Sequence, residues 1–207
     1  MNIILLRHGK TKGNLQHRYV GRTDEELLPE TGEKLMAAAP AFQKKYLAGR
    51  RVIVLTSPLR RCVRTAQILT YGAGNCEMRV VPDFRETDFG AFEYRNFAEL
   101  DGNPDYQRFI DSDGEAAFPG GESKKQAKER VTAAFETQMS AFTAEAKPDV
   151  LLLVVHGGTI MALMDRYAVP HRPYYEWHCE NLAGFAGRLE AAPAFAIKEA
   201  EPLCLKC

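Results

Sequence analysis

Two uninterrupted apolar runs in this chain stop at the same dipeptide. Asn2-Ile3-Ile4-Leu5-Leu6-Arg7 leads into His8-Gly9, and Val150-Leu151-Leu152-Leu153-Val154-Val155 leads into His156-Gly157. A short run of Ile, Leu and Val without polar alternation describes a strand buried on both faces, as in a parallel sheet covered by helices on either side. Open sheets of that kind bind ligands beyond the carboxyl ends of their strands, where both histidines would emerge. One histidine at the edge of a core is most simply structural. Two at matching strand ends, one of them preceded by Arg7, point to chemistry.

Residues 52–56 (Val-Ile-Val-Leu-Thr) and 79–82 supply two further strand candidates, and helical patterns separate the four. From Thr31 to about Leu47 the apolar positions Leu35, Met36, Ala39, Phe42 and Tyr46 mark one helix, which Pro40 is expected to kink or split. A second begins at Ser123, where Ser123-Lys-Lys-Gln126 is a capping box and Ala127, Val131, Ala134, Phe135, Met139 and Phe142 form the buried stripe. Strands alternating with helices give α/β organisation. The stretch from Asp88 to Glu122 is irregular, aromatic and too long for a plain connection, so a lid-like insertion over a substrate is expected at about 88–122. With no repeat, low-complexity tract or linker, residues 1–207 read as one domain.

Lysine plus arginine and aspartate plus glutamate each number 27, so the net charge is zero and no global attraction to nucleic acid or a membrane surface is expected. No apolar run approaches the ~20 residues of a membrane span, and the amino terminus carries no charged leader region, which makes a cytoplasmic enzyme the expectation. The five cysteines are odd in number and widely spaced, which favours reduced thiols. Cys204-Leu-Lys-Cys207 has no second pair to complete a zinc site and reads as a mobile tail.

Other signals gather around the histidines. Ser57 and Pro58 are placed to cap and begin a helix carrying Arg60, Arg61 and Arg64. A helix amino terminus with arginines just inside it suits an oxyanion, although only 61 and 64 share a face, with 57 able to join 61. Glu86 follows the third strand, where a carboxyl beside histidine and arginine could act as a general acid. The pairs Gly120-Gly121 and Gly157-Gly158 could present backbone N–H groups to an anion or simply turn the chain.

In this order, the motifs resemble the histidine phosphatase superfamily, in the branch that includes cofactor-dependent phosphoglycerate mutases and small phosphoester phosphatases such as α-ribazole phosphatases. Arg7-His8-Gly9-Lys-Thr11-Lys-Gly-Asn14 is similar to the family's opening motif, whose histidine becomes phosphorylated. Gly21-Arg-Thr-Asp24 through Leu28 and Gly32, Ser57-Pro-Leu-Arg-Arg61 with Thr65-Ala66, and Arg85-Glu86 with Phe89-Gly90 follow. Gly120-Gly-Glu-Ser123 and His156-Gly-Gly158 complete a set that covers residues 2 to about 185. Lys10, Gly13 and Tyr94 depart from the usual acidic, aromatic and glycine residues, which leaves substrate preference open. Thr11 and Gly13, where the acid-phosphatase branch carries a second arginine and a proline, argue against that branch.

The resemblance implies a three-layer α/β/α sandwich around a mostly parallel central sheet, and a mechanism without metal or other cofactor. His8 would attack phosphorus, Arg7, Arg61 and His156 would form a cationic clamp on the phosphoryl oxygens, and Glu86 would serve as general acid and then base. Thr11, Asn14, Gly21 and Gly157 would bind substrate at the rim, with helix capping an equal role for Thr11. The implied partner is a small-molecule phosphomonoester, with neither nucleic acid nor membrane involved. Hydrolysis is favoured over mutase transfer, because mutases of the family carry a longer motif after the catalytic glutamate, and over an inactive binding protein, which would have lost one of these residues. The aromatic residues of the 88–122 insertion, Phe92 and Tyr94 among them, are expected to cover a ring-bearing leaving group or to pack the insertion onto the core.

Overall fold

A computed structural model describes residues 1–142, 147–191 and 194–205. Its strands are β1 (Asn2–Arg7), β2 (Val52–Thr56), β3 (Cys76–Val80), β4 (Val150–Val155), β5 (Ala168–Val169), β6 (Ala183–Glu190) and β7 (Ala196–Cys204). They form one sheet in the order β3-β2-β4-β1-β6-β7-β5. The β3-β2-β4-β1 half is parallel; β6 runs antiparallel to β1, β7 antiparallel to β6, and the two-residue β5 pairs parallel with β7.

Alternation along the central strands divides their side chains between two cores, which is why these runs are apolar throughout. Ile3, Leu5, Leu151 and Leu153 face one side, where Val131, Phe135 and Met139 of α6 (Lys124–Ser140) and Ile160, Leu163 and Met164 of α7 (Gly157–Tyr167) cover them. Ile4, Leu6, Leu152 and Val154 face the other, under Leu35, Ala39 and Phe42 of α2 (Pro29–Phe42) and Cys62, Ala66 and Leu69 of α3 (Arg60–Thr70). The result is the expected α/β/α sandwich with a mostly parallel sheet. The short helices α1 (Lys12–Leu15), α4 (Phe97–Leu100) and α5 (Pro104–Asp111) stand outside these layers. No helix among the described residues is long and apolar enough to cross a membrane.

Several expectations are corrected. The third strand lies at 76–80 instead of 79–82, because Pro82 opens a single 3-10 turn over Pro82–Phe84. That strand is the sheet edge, so Glu77, Met78 and Val80 are exposed and blur its pattern. Pro40 does not split its helix: α2 runs through it, held by buried Leu35, Ala39 and Phe42, and only then widens into a π turn at Gln43–Leu47. The last three strands were not expected at all. In particular, Cys204 ends β7 instead of lying in a loose tail, between buried Leu203 and Leu205, while Cys207 lies outside the described residues. Ser123 does form the expected capping box with Gln126.

Candidate active site

The sheet itself brings the histidines together. β1 and β4 pair in parallel with Arg7 opposite Val155, so the next residue of each strand is a histidine. Their rings meet edge-on, with centroids 5.1 Å apart. Both are buried, His8 at 3% exposure and His156 at 0%.

His8 is fixed in tautomer as well as in place. Its Nδ1 lies 2.7 Å from the carbonyl oxygen of Gly9, which can only accept, so Nδ1 carries the proton and Nε2 holds a lone pair. Burial, with Arg61 and Arg7 adding positive charge nearby, holds the His8 pKa well below the ordinary histidine value. The imidazole is therefore neutral near pH 7. Asn181, which sequence reasoning missed, donates from Nδ2 to the His8 carbonyl at 3.0 Å and to Asn14 Oδ1 at 3.2 Å. Thr65 Oγ1 accepts the Gly9 N–H at 3.0 Å.

The two expected guanidinium groups are present, each with a specific anchorage. Arg7 donates from Nη1 to the Cys179 carbonyl at 2.7 Å. Arg61, fully buried at the start of α3, donates to the carbonyls of Val20, Gly21 and Thr23. In both, Nε is buried with no hydrogen-bond partner among the described residues. Two buried charged donors without acceptors are costly, and phosphoryl oxygens are the acceptors that guanidinium geometry suits best.

His156 departs from its expected role as a third cation. Burial first, then Arg61, His8 and Arg7, hold its pKa well below the usual range, so the positive charge of the site rests on the arginines. Its Nε2 lies 2.7 Å from Ser57 Oγ. That contact explains Ser57, which does not cap α3: the helix begins at Arg60 behind Leu59. Arg60 is an exposed partner of Asp24 and Glu26. Arg64 lines a different groove beside Pro40 and Tyr71, so it does not join Arg61.

Glu86 accepts from the N–H groups of Gly158 at 3.2 Å and Thr87 at 2.9 Å, which points its carboxylate at the amino terminus of α7. A side chain on Gly158 would collide with Glu86 Oε1, and one on Gly157 would sit 3.6 Å from the Arg7 guanidinium. Arg130, also missed, holds this loop from below. It donates to the carbonyls of Asp83, Arg85 and Glu86 while pairing with Glu122 of the Gly-Gly-Glu-Ser turn at 2.7 Å.

The rim residues have mostly internal partners. Thr11 is buried and caps α1 in a box with Asn14, the alternative role noted for it. The Gly21 N–H donates to Glu93 Oε1 at 3.0 Å, so Gly21 offers its donor to the protein; Arg61 takes its carbonyl. Lys10 is exposed and lines none of the cavities described.

A cavity of about 470 Å³ opens beside this centre, with Arg7, Glu86, Gly157 and Gly158 at one end. Phe89, Phe109 and Phe118 of the 88–122 segment line it, facing Tyr174 and Tyr175. Phe92 and Tyr94 do not. Phe92 is buried with Leu100 and Phe118 in a small core under the segment, and the Tyr94 hydroxyl donates to Glu25 at 2.7 Å.

The sequence profile of the histidine phosphatase superfamily (branch 1) matches residues 3–184. A probable phosphoglycerate mutase GpmB of Cronobacter sakazakii is 31% identical over 166 residues, 79% of this chain and 73% of that protein. Phosphoglycerate mutase-like protein 4 of Arabidopsis thaliana is 28% identical over 169 residues, covering 79% and 70%. In fold, the crystal structure of a putative α-ribazole-5′-P phosphatase from Escherichia coli superposes with a TM-score of 0.79 at 21% identity, over 100% of this chain and 96% of that one. With its two strand-end histidines, its glutamate on the α7 amino terminus and this span of matched sequence, the chain belongs to the histidine phosphatase superfamily, branch 1.

Proposed function

We propose that the chain hydrolyses phosphomonoesters through a phosphohistidine on His8, with Glu86 as general acid and base. The observation that carries this reading is the pairing of a neutral His8, its Nδ1 proton tied to Gly9, with two arginines whose buried Nε donors lack acceptors among the described residues. The Nε2 lone pair attacks phosphorus, the ester P–O bond breaks, and Glu86 gives its proton to the departing alkoxide. Water then attacks the phosphohistidine, Glu86 takes one of its protons, and the P–N bond returns its electron pair to Nε2. Arg7 and Arg61 meet the charge on the phosphoryl oxygens in both steps, and His156 adds a neutral hydrogen bond.

The test is rapid-quench labelling with a phosphomonoester. An acid-labile, base-stable phosphoenzyme forms in the native protein and is lost in His8→Ala. Glu86→Gln still forms it from 4-nitrophenyl phosphate, whose leaving group needs no proton. Turnover retained in His8→Ala refutes the nucleophile. The resemblance to probable phosphoglycerate mutases supports a second reading, return of the phosphoryl group to an acceptor hydroxyl. Release of inorganic phosphate, instead of isomerised phosphoglycerate, decides for hydrolysis.

A further inference from the structure

Resting on that hydrolase reading, we infer that the substrate's alcohol portion is a neutral, ring-bearing group, and that Phe109, Ile110 and Tyr175 select it. The cavity is two-ended. Arg7 and Glu86 stand at the phosphoryl end, and the rest of the lining is mostly rings and aliphatic side chains, with Asp113, Lys124 and His178 among them. Its volume of about 470 Å³ is in the range of small-molecule sites, far more than a three-carbon sugar acid requires. Phe109 stacks on Phe118 with centroids 4.1 Å apart, which fixes a flat wall. Ile110 and Tyr175, 49% and 48% exposed, extend the same apolar lining towards solvent.

Charge excludes the alternative. Of the lysines and arginines lining the cavity, Arg7 belongs to the phosphoryl end and the other is Lys124. Lys124 Nζ is held by Asp113 Oδ2 at 2.8 Å and Glu115 Oε1 at 3.3 Å, with only 16% of its side chain exposed. A second anionic group, such as the carboxylate of a phosphoglycerate, would meet a lysine already committed to Asp113 and Glu115, with the Asp113 carboxylate itself on the cavity wall. A neutral ring would meet matching apolar surface.

The experiment compares kcat/KM for benzyl phosphate, ethyl phosphate and 3-phosphoglycerate, whose alkoxide leaving groups all require protonation. Benzyl phosphate should exceed ethyl phosphate by about thirty-fold from burial of one ring, and exceed 3-phosphoglycerate by at least as much. Phe109→Ala should collapse the benzyl-to-ethyl ratio to about three or less. Ile110→Ser, at a half-exposed position outside the buried clusters, should lower the same ratio severalfold. Equal rates for benzyl and ethyl phosphate, preference for 3-phosphoglycerate, or an unchanged ratio in both variants would overturn the assignment. Failure of every ester to label His8 would instead overturn the phosphatase reading beneath it.

Discussion

Adding a single methyl group at Gly158 should separate the chemistry of this site from its stability. The new Cβ of Gly158→Ala would collide with Glu86 Oε1 and lie 3.3 Å from its Cδ, so the carboxylate must swing away and lose the 3.2 Å bond from the residue 158 N–H. Because Oε1 is the end of a flexible side chain, the fold itself need not move. One lost hydrogen bond costs about 1 kcal/mol, and alanine in place of glycine inside α7 returns about 0.5–1 kcal/mol. The melting temperature should therefore stay within about 3 °C of the parent. Catalysis has no such compensation. Loss of a positioned general acid costs roughly 100-fold or more, equivalent to about 2.7 kcal/mol of barrier. The assay is kcat/KM on ethyl phosphate and 4-nitrophenyl phosphate side by side. Ethyl phosphate should fall about 100-fold, and 4-nitrophenyl phosphate by no more than about five-fold, with phosphoenzyme accumulating because the second step also uses Glu86. Gly157→Ala, whose Cβ would make only ordinary contact with Arg7 at 3.6 Å, is the control and should leave the ratio between the two substrates unchanged. Equal losses on both esters in Gly158→Ala, or no loss on ethyl phosphate, would refute the role given to Glu86.

Protons should act on stability in a defined direction. His8 and His156 have folded pKa values below the ordinary 6.5, so the unfolded chain takes up protons that the folded one refuses. Stability is then full above about pH 6.5 and falls as the pH drops below it, by up to about 1.4 kcal/mol per pH unit for each histidine. Thermal melts between pH 7.5 and 5.5 should show this slope, reduced in His8→Ala; an unaltered slope counts against a neutral His8. Arg130→Met removes the guanidinium that pairs with Glu122 and donates to three loop carbonyls, and should cost about 2–4 kcal/mol in denaturant melts while slowing alkyl phosphates more than 4-nitrophenyl phosphate. Gly184→Ala drives a Cβ into the backbone carbonyl of Leu5 across the β1–β6 ladder and should cost more than about 4 kcal/mol, read as loss of folded protein on expression. Because the phosphoryl charge is met by guanidinium groups, a chelator should leave turnover unchanged and vanadate should inhibit; activity lost to chelator and restored by a divalent cation would contradict the mechanism.

The parallel half of the fold was legible because its strands are buried on both faces and end in chemistry-bearing residues: β1, β2 and β4 have the boundaries their apolar runs predict. The antiparallel half was not. β6 reads Ala-Gly-Phe-Ala-Gly-Arg-Leu-Glu, with small residues where strands carry branched ones, and β7 alternates Ile197 with charged positions and contains Pro202. That proline is tolerated because β5 pairs only with Ile197 and Lys198, leaving residue 202 on a free edge. At the site, motif order pointed to His8, Glu86 and His156, but burial decides charge, so the lowered pKa of His156 could not be read from its type. Asn181 and Arg130 were missed for a related reason: both act through backbone carbonyls, and no local pattern marks a side chain that reaches back to residue 8 or to residues 83–86.

The position of β1 between β4 and β6 has a consequence for how the chain comes to be folded. Residues 2–7 are synthesised long before their partners, since both ladders that hold them are supplied by residues 150–155 and 184–188. For most of synthesis the segment Ile3-Ile4-Leu5-Leu6 has no backbone partner, and loop closure over some 150 residues must precede any reward for bringing it into the sheet. The amino-terminal strand is thus an exposed hydrophobic edge in every incomplete chain, and a natural client for whatever shields nascent polypeptides. It also means that the histidine pair is a late product: until residues 150–155 dock beside β1, His8 has no His156 ring against it.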